Sequence, residues 1–128
     1  MAKALQLIFS NALGQEKRKG PYRLVRFEGE TMRAEPGEPV VARHVKHEWL
    51  VDGEEFARLE CDCSAQLHFE RVNGERSTTY GPFESVSFID GVAYANREIF
   101  AFADRSSVDW YCHEDDQHWP LMVLTPVG

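Results

Sequence analysis

The chain predicts an all-β or mainly β fold, an antiparallel meander forming a small barrel or a two-layer sandwich, with at most one or two short helices. Three observations lead there. Asp52-Gly53, Asn73-Gly74 and Asp90-Gly91 fall within about forty residues, and each pair suits the two left-handed positions of a type I′ hairpin turn. The segments flanking them are short and rich in β-branched and aromatic residues, and several alternate between apolar and polar. Finally, Ile99-Phe100-Ala101-Phe102-Ala103 is apolar on both parities, as in a strand covered on both faces, which calls for two layers or closure rather than one open sheet.

Taken in order, "ALQLIFS" (4 to 10) and "YRLVRFEGE" (22 to 30) read as strands. Between them "NALGQEKRKGP" reads as a loop, because it holds two Gly, a Pro and a charge cluster. Lys17, Arg18 and Lys19 are expected in a solvated turn before Gly20-Pro21. "EPGEP" (35 to 39) is a second break. "VVARHVKHEWLV" (40 to 51) fits either a helix face or a period-two strand, and its β-branched content favours one strand. "EEFARLECDC", "AQLHFERV", "ERSTTY", "FESVSFI" and "VAYAN" follow as strands around the Asx-Gly turns. "REIFAFA", a turn at "DRSS", "VDWYCH", a polar loop and "PLMVLTP" complete the chain.

Its 128 residues suit a single domain, 1 to 128, able to bury a core without disulfides. Hydrophobic residues at 43% and charged residues at 27% are globular proportions, which argues against disorder. No apolar run reaches the length of a membrane-spanning helix, and "ALQLIFSNAL" lacks the length and cleavage site of a signal peptide. Three cysteines, an odd number, suit a reducing compartment, so a cytoplasmic protein is expected.

Charge is uneven. Residues 1 to 46 carry nine Lys/Arg against five Asp/Glu, a net of +4, and residues 47 to 128 carry five against sixteen, a net of −11, giving the total of −7. That total disfavours nucleic acid as a partner, since "EKRKG" is the only dense basic cluster. It suits a basic protein partner, or self-association through an edge strand.

"IDGVAYANREIFAFADRSSVDW" (89 to 110) resembles a single repeat of the quinoprotein-type β-propellers. It covers about a sixth of the chain, and a propeller needs roughly four to eight blades. No second copy is visible in the sequence, so the stretch is read as an independent strand-turn-strand unit that implies no quinone ligand.

Chemistry-bearing residues concentrate in "WYCHEDDQHW" (110 to 119). Cys112, His113 and His118 offer metal-ligand types, and a tetrahedral zinc would draw further ligands from Cys61, Cys63 or His68. The Cys-x-Cys spacing of 61 and 63 is shorter than the usual zinc knuckle, and on a strand it places both thiols on one apolar face with Ala57 and Leu59, as buried core thiols. His44 and His47 would point to opposite faces of a strand, which argues against joint ligation and suits surface histidines. Glu114, Asp115 and Asp116 lack the spacing of a calcium loop and read as solvated. No nucleophile elbow, Walker loop, dinucleotide glycine pattern or zinc-protease motif is present.

The expected function is therefore a soluble, non-enzymatic binding or interaction domain using an acidic and aromatic surface: Asp109, Tyr111, Glu114, Asp115, Asp116 and Trp119. Trp110, on a face with Val108 and Cys112, is expected in the core; Tyr111 and Trp119 are freer to be exposed, although a core role remains the leading expectation for all three aromatic residues. Two alternatives stand beside it. One is a structural zinc-binding domain; the other is a small β-barrel enzyme or small-molecule binder whose polar groups converge in the barrel mouth.

Overall fold

The computed structural model describes residues 4–36, 40–61, 63–71, 76–104 and 109–127. Among these it is all β, with sixteen strands and no helix. They are β1 (Leu5–Ser10), β2 (Glu16–Tyr22), β3 (Leu24–Glu28), β4 (Thr31–Glu35), β5 (Ala42–Val45), β6 (Glu48–Val51), β7 (Glu54–Phe56) and β8 (Arg58–Cys61). Then follow β9 (Ala65–Glu70), β10 (Ser77–Phe83), β11 (Val86–Ile89), β12 (Val92–Ala95), β13 (Glu98–Ala103), β14 (Trp110–Cys112), β15 (Gln117–Trp119) and β16 (Leu121–Pro126).

Two eight-stranded antiparallel sheets result, and neither closes into a barrel. One has the order β15-β14-β13-β12-β11-β8-β1-β2, the other β10-β9-β16-β3-β4-β5-β6-β7. Their inner faces share one core, shown by rings that meet across the layers: Phe9 with Trp49, Phe27 with Phe88, and Trp49 with Phe88. The sandwich alternative therefore holds and the barrel does not.

The two sheet orders are the same order. Advancing each strand label by eight, and wrapping from β16 to β1, converts one sheet into the other. The chain is thus a topological duplication, β1 to β8 and β9 to β16, in which each half supplies three strands to one sheet and five to the other. Matching positions include Gly20-Pro21 with Gly81-Pro82, Phe27 with Phe88, and Trp49 with Trp110. Gly20 (φ 128°) and Gly81 (φ 117°) sit where β2 and β10 shift register against β1 and β9. A Cβ on Gly20 would lie 2.6 Å from the carbonyl oxygen of Leu5, and one on Gly81 would lie 3.3 Å from that of Ala65, the matching residue. Glycine here permits close backbone approach. The propeller-like stretch 89 to 110 has its counterpart in residues 28 to 49, which bear little sequence likeness to it.

Several local expectations are corrected. Residues 16–22 are an edge strand rather than a loop: Lys17 and Lys19 point alternately with Arg18, and both reach Asp52, at 3.2 and 3.0 Å. The stretch 40 to 51 is two strands, because Lys46 and His47 (φ 51° and 69°) form a tight turn of their own. The run 54 to 63 bends at Ala57, where the chain passes from one sheet to the other, so Phe56 and Leu59 are both buried. Ile99 is half exposed and Phe102 only partly covered, so β13 has an outer face; Phe100 and Ala101 are both buried because the pairing with β12 shifts between Ala93 and Tyr94. Asp52-Gly53 and Asp90-Gly91 form the expected turns with both φ positive. Asn73-Gly74, Asp62 and the turn after Asp104 lie outside the described residues.

Candidate functional site

The acidic stretch 113 to 116 is a turn joining β14 to β15, at the edge of its sheet. Inward, Trp110, Cys112 and Trp119 are buried. Burial of Trp119 fits the core role and removes it from the expected recognition surface: its indole Nε1 donates to Asp115 at 3.2 Å and Arg71 lies over its ring at 5.1 Å.

Asp115 is committed as well. Besides Trp119 it accepts from the Tyr80 hydroxyl at 2.8 Å and from the Gln117 backbone N–H at 3.1 Å, so it pins the turn to β10 of the other sheet. Burial, and then this carboxylate, push the Tyr80 phenol up to about 12. In the other half, Lys19 meets Asp52 at the matching corner, and the hydrogen bonds from Lys19 and then Lys17 hold the Asp52 carboxyl below its usual value.

Outward, the register places Phe102 opposite Tyr111 and Tyr111 opposite His118. Their rings form a cross-strand ladder: Phe102 and Tyr111 are stacked with centroids 6.3 Å apart, and Tyr111 and His118 are 5.2 Å apart. Phe102 and Tyr111 are partly covered and His118 is exposed. Carboxylates border the ladder. Asp109 precedes β14, Glu114 and Asp116 are exposed in the turn, and the Tyr111 hydroxyl donates to Asp116. That hydrogen bond raises the Tyr111 phenol above its usual range, so the ring stays neutral. Phe102 was missed by sequence reasoning, since only the pairing register shows that it borders Tyr111.

The matching face of the first half carries different chemistry. There the outward row runs Arg43, Leu50 and Glu55, beside a shallow hollow of about 500 Å³ lined also by Val45, Lys46 and Glu48. The Glu48 carboxyl is raised, first by its hydrogen bond with Glu55, then by burial and by the charges of Glu55 and Asp90.

The expected zinc cluster is not brought together. Cys61 on β8 and Cys112 on β14 are separated by four strand spacings, roughly 19 Å at 4.8 Å each. Cys112 is buried, and burial raises its thiol above the usual value. His113 and His118 are exposed on the turn, and His68 lies on the other sheet with its Nδ1 2.7 Å from Thr79 Oγ1. Among the described residues no group of three Cys, His, Asp or Glu side chains converges. Nor is there a barrel mouth in which polar groups could gather.

His44 and His47 also depart from expectation. The turn at 46 and 47 brings their rings to 6.3 Å, and His44 is buried, 3% exposed, between Trp49 and Trp110 at 4.1 and 5.4 Å. The residue facing Trp110 in its own half is Ala103, small enough to leave that indole face to His44. Neither ring nitrogen has a hydrogen-bond partner. Burial first, and the neighbouring charge of His47 second, lower the imidazole to about 4, so it is neutral at physiological pH.

No helix among the described residues is long and apolar enough to cross a membrane. Comparison of the chain with known protein families, with curated proteins and with solved structures finds no match.

Proposed function

We propose that this is a non-enzymatic binding domain, acting in the cytoplasm, whose outer face on β13 to β15 receives a basic segment of a protein partner. The observation that carries this reading is the ladder of Phe102, Tyr111 and His118 lying in register on an outer sheet face with carboxylates at its rim. Aromatic faces present negative quadrupole density, and a lysine or arginine head laid over one gains about 0.5–2 kcal/mol. Asp109, Glu114 and Asp116 add favourable charge around it, and the net charge of −7 favours encounter with a cation. Asp115 and Trp119 support the face from beneath rather than touching the partner. The odd cysteine count supports the cytoplasmic placement.

The test is calorimetry of the full chain with an arginine-rich peptide at low and high salt. Binding is expected to weaken as salt rises, and Tyr111→Ser to weaken it about fivefold, the equivalent of ~1 kcal/mol. Equal binding by wild type and Tyr111→Ser, with the variant folded, would reject the face.

A further inference from the structure

Cys61 closes β8, and Cys63 follows two residues later, before β9 begins at Ala65. Their sulfurs lie 3.7 Å apart and neither is in a disulfide. That separation is the informative quantity. A disulfide would need the sulfurs about 2.05 Å apart. Metal–sulfur bonds of about 2.3 Å, by contrast, span 3.7 Å at an angle of roughly 107° at the metal, close to tetrahedral.

Access is one-sided. Cys61 is buried at 8% exposure, while Cys63 is half-buried and packs against the rim of the core. An incoming ion therefore meets Cys63 first and Cys61 second. Among the described residues no third ligand group joins them. Two thiolates select a soft ion over calcium or magnesium, whose ligands are oxygens.

We propose that Cys61 and Cys63 form a dithiol site for a thiophilic metal or metalloid ion, chelated through both sulfurs from the open side at Cys63. With a divalent metal, each thiol loses its proton to solvent as its sulfur–metal bond forms, so two protons are released per ion and no electron is transferred. With a trivalent arsenical oxide, two sulfur–arsenic bonds replace the arsenic–oxygen bond, and both thiol protons leave in one water. The site is independent of the aromatic face on β13 to β15.

The experiment uses the reduced full chain and cadmium ion alone, followed by ultraviolet sulfur-to-metal charge transfer, with thiol counting in parallel. One ion per chain is expected, protecting two of the three thiols. Cys63→Ser should abolish the band while leaving the fold intact, Cys61→Ser should do the same, and Cys112→Ser should keep it. Phenylarsine oxide should add once per chain to the wild type and not to Cys63→Ser. Overturning results are a missing band at one equivalent, a band that survives Cys63→Ser, or one ion shared between two chains. Tyr111→Ser should leave cadmium binding unchanged, so failure of the binding face and failure of the dithiol are told apart.

Discussion

The imidazole of His44 lies against the indole of Trp49 at 4.1 Å and 14° from parallel, with both ring nitrogens unpartnered. Burial between the two indoles disfavours a proton on this ring, and the backbone of His47 offsets only part of that penalty. In the folded protein the group titrates at about 4 against its usual 6.5, so the unfolded chain binds more protons between those values. Stability from this group is fully present above pH 6.5 and is lost as pH falls from 6.5 towards 4. The loss is about 3 kcal/mol, from ~1.4 kcal/mol per pKa unit. Urea unfolding of His44→Leu at pH 7 and at pH 4.5 should show a shallower fall than wild type, with little change at pH 7. An unchanged fall would place the acid sensitivity elsewhere.

Asp115 collects donors from Tyr80, Trp119 and Gln117. Tyr80→Phe removes one of these and is expected to cost about 1 kcal/mol, while Asp115→Ala orphans all three and should cost about 2–3 kcal/mol. At the matching corner, Lys17 and Lys19 meet an exposed Asp52. Lys19→Met should have the smaller effect, and added salt should erase it. Thermal melts at two ionic strengths separate the two corners.

Glycines test the close approaches. Gly20→Ala would force a Cβ to within 2.6 Å of a backbone oxygen in β1, and Gly91→Ala would bring one to 2.5 Å from the His47 ring. Gly53 has a similar positive φ, 82°, but open space around it. Gly53→Ala should therefore cost only about 1–2 kcal/mol for the left-handed backbone. Gly20→Ala should cost more, because the backbone of β1 cannot move aside. Equal losses in chemical denaturation would contradict the packing described.

Thiol reactivity should follow burial. Cys63 is expected to react first with a bulky thiol reagent, and Cys112 only when the protein unfolds, since burial raises its thiol and keeps it protonated. Peptide mapping after timed alkylation gives the order. Early modification of Cys112 would show that β14 opens locally.

Much of the fold was legible because certain residues have one job. Asp52-Gly53 and Asp90-Gly91 announce left-handed turns, and the alternation of Leu5, Leu7 and Phe9 shows which side faces the core. Lys46-His47 and Asn96-Arg97 make turns of the same kind with less distinctive residues, which is why the hairpin at 46 was hidden inside an apparent strand. β2 was hidden for another reason: an edge strand bearing lysines on alternate positions has the composition of a loop. The duplication escaped notice because it is held by topology and a few large side chains, while intervening positions such as His44 and Ala103 differ entirely. Tyr111 and its acidic neighbours were visible as a surface, but the ring beside it, Phe102, is joined to it only by strand register.

The exchange of strands between the two sheets makes the halves a clasp. Neither sheet can be completed by one half alone, since β1, β2 and β8 finish the sheet that β11 to β15 begin, and β9, β10 and β16 finish the other. A single cut between Cys61 and Ala65 would therefore leave two fragments whose strands remain interleaved. They would hold together without a peptide bond, and they would come apart in one cooperative step that depends on protein concentration.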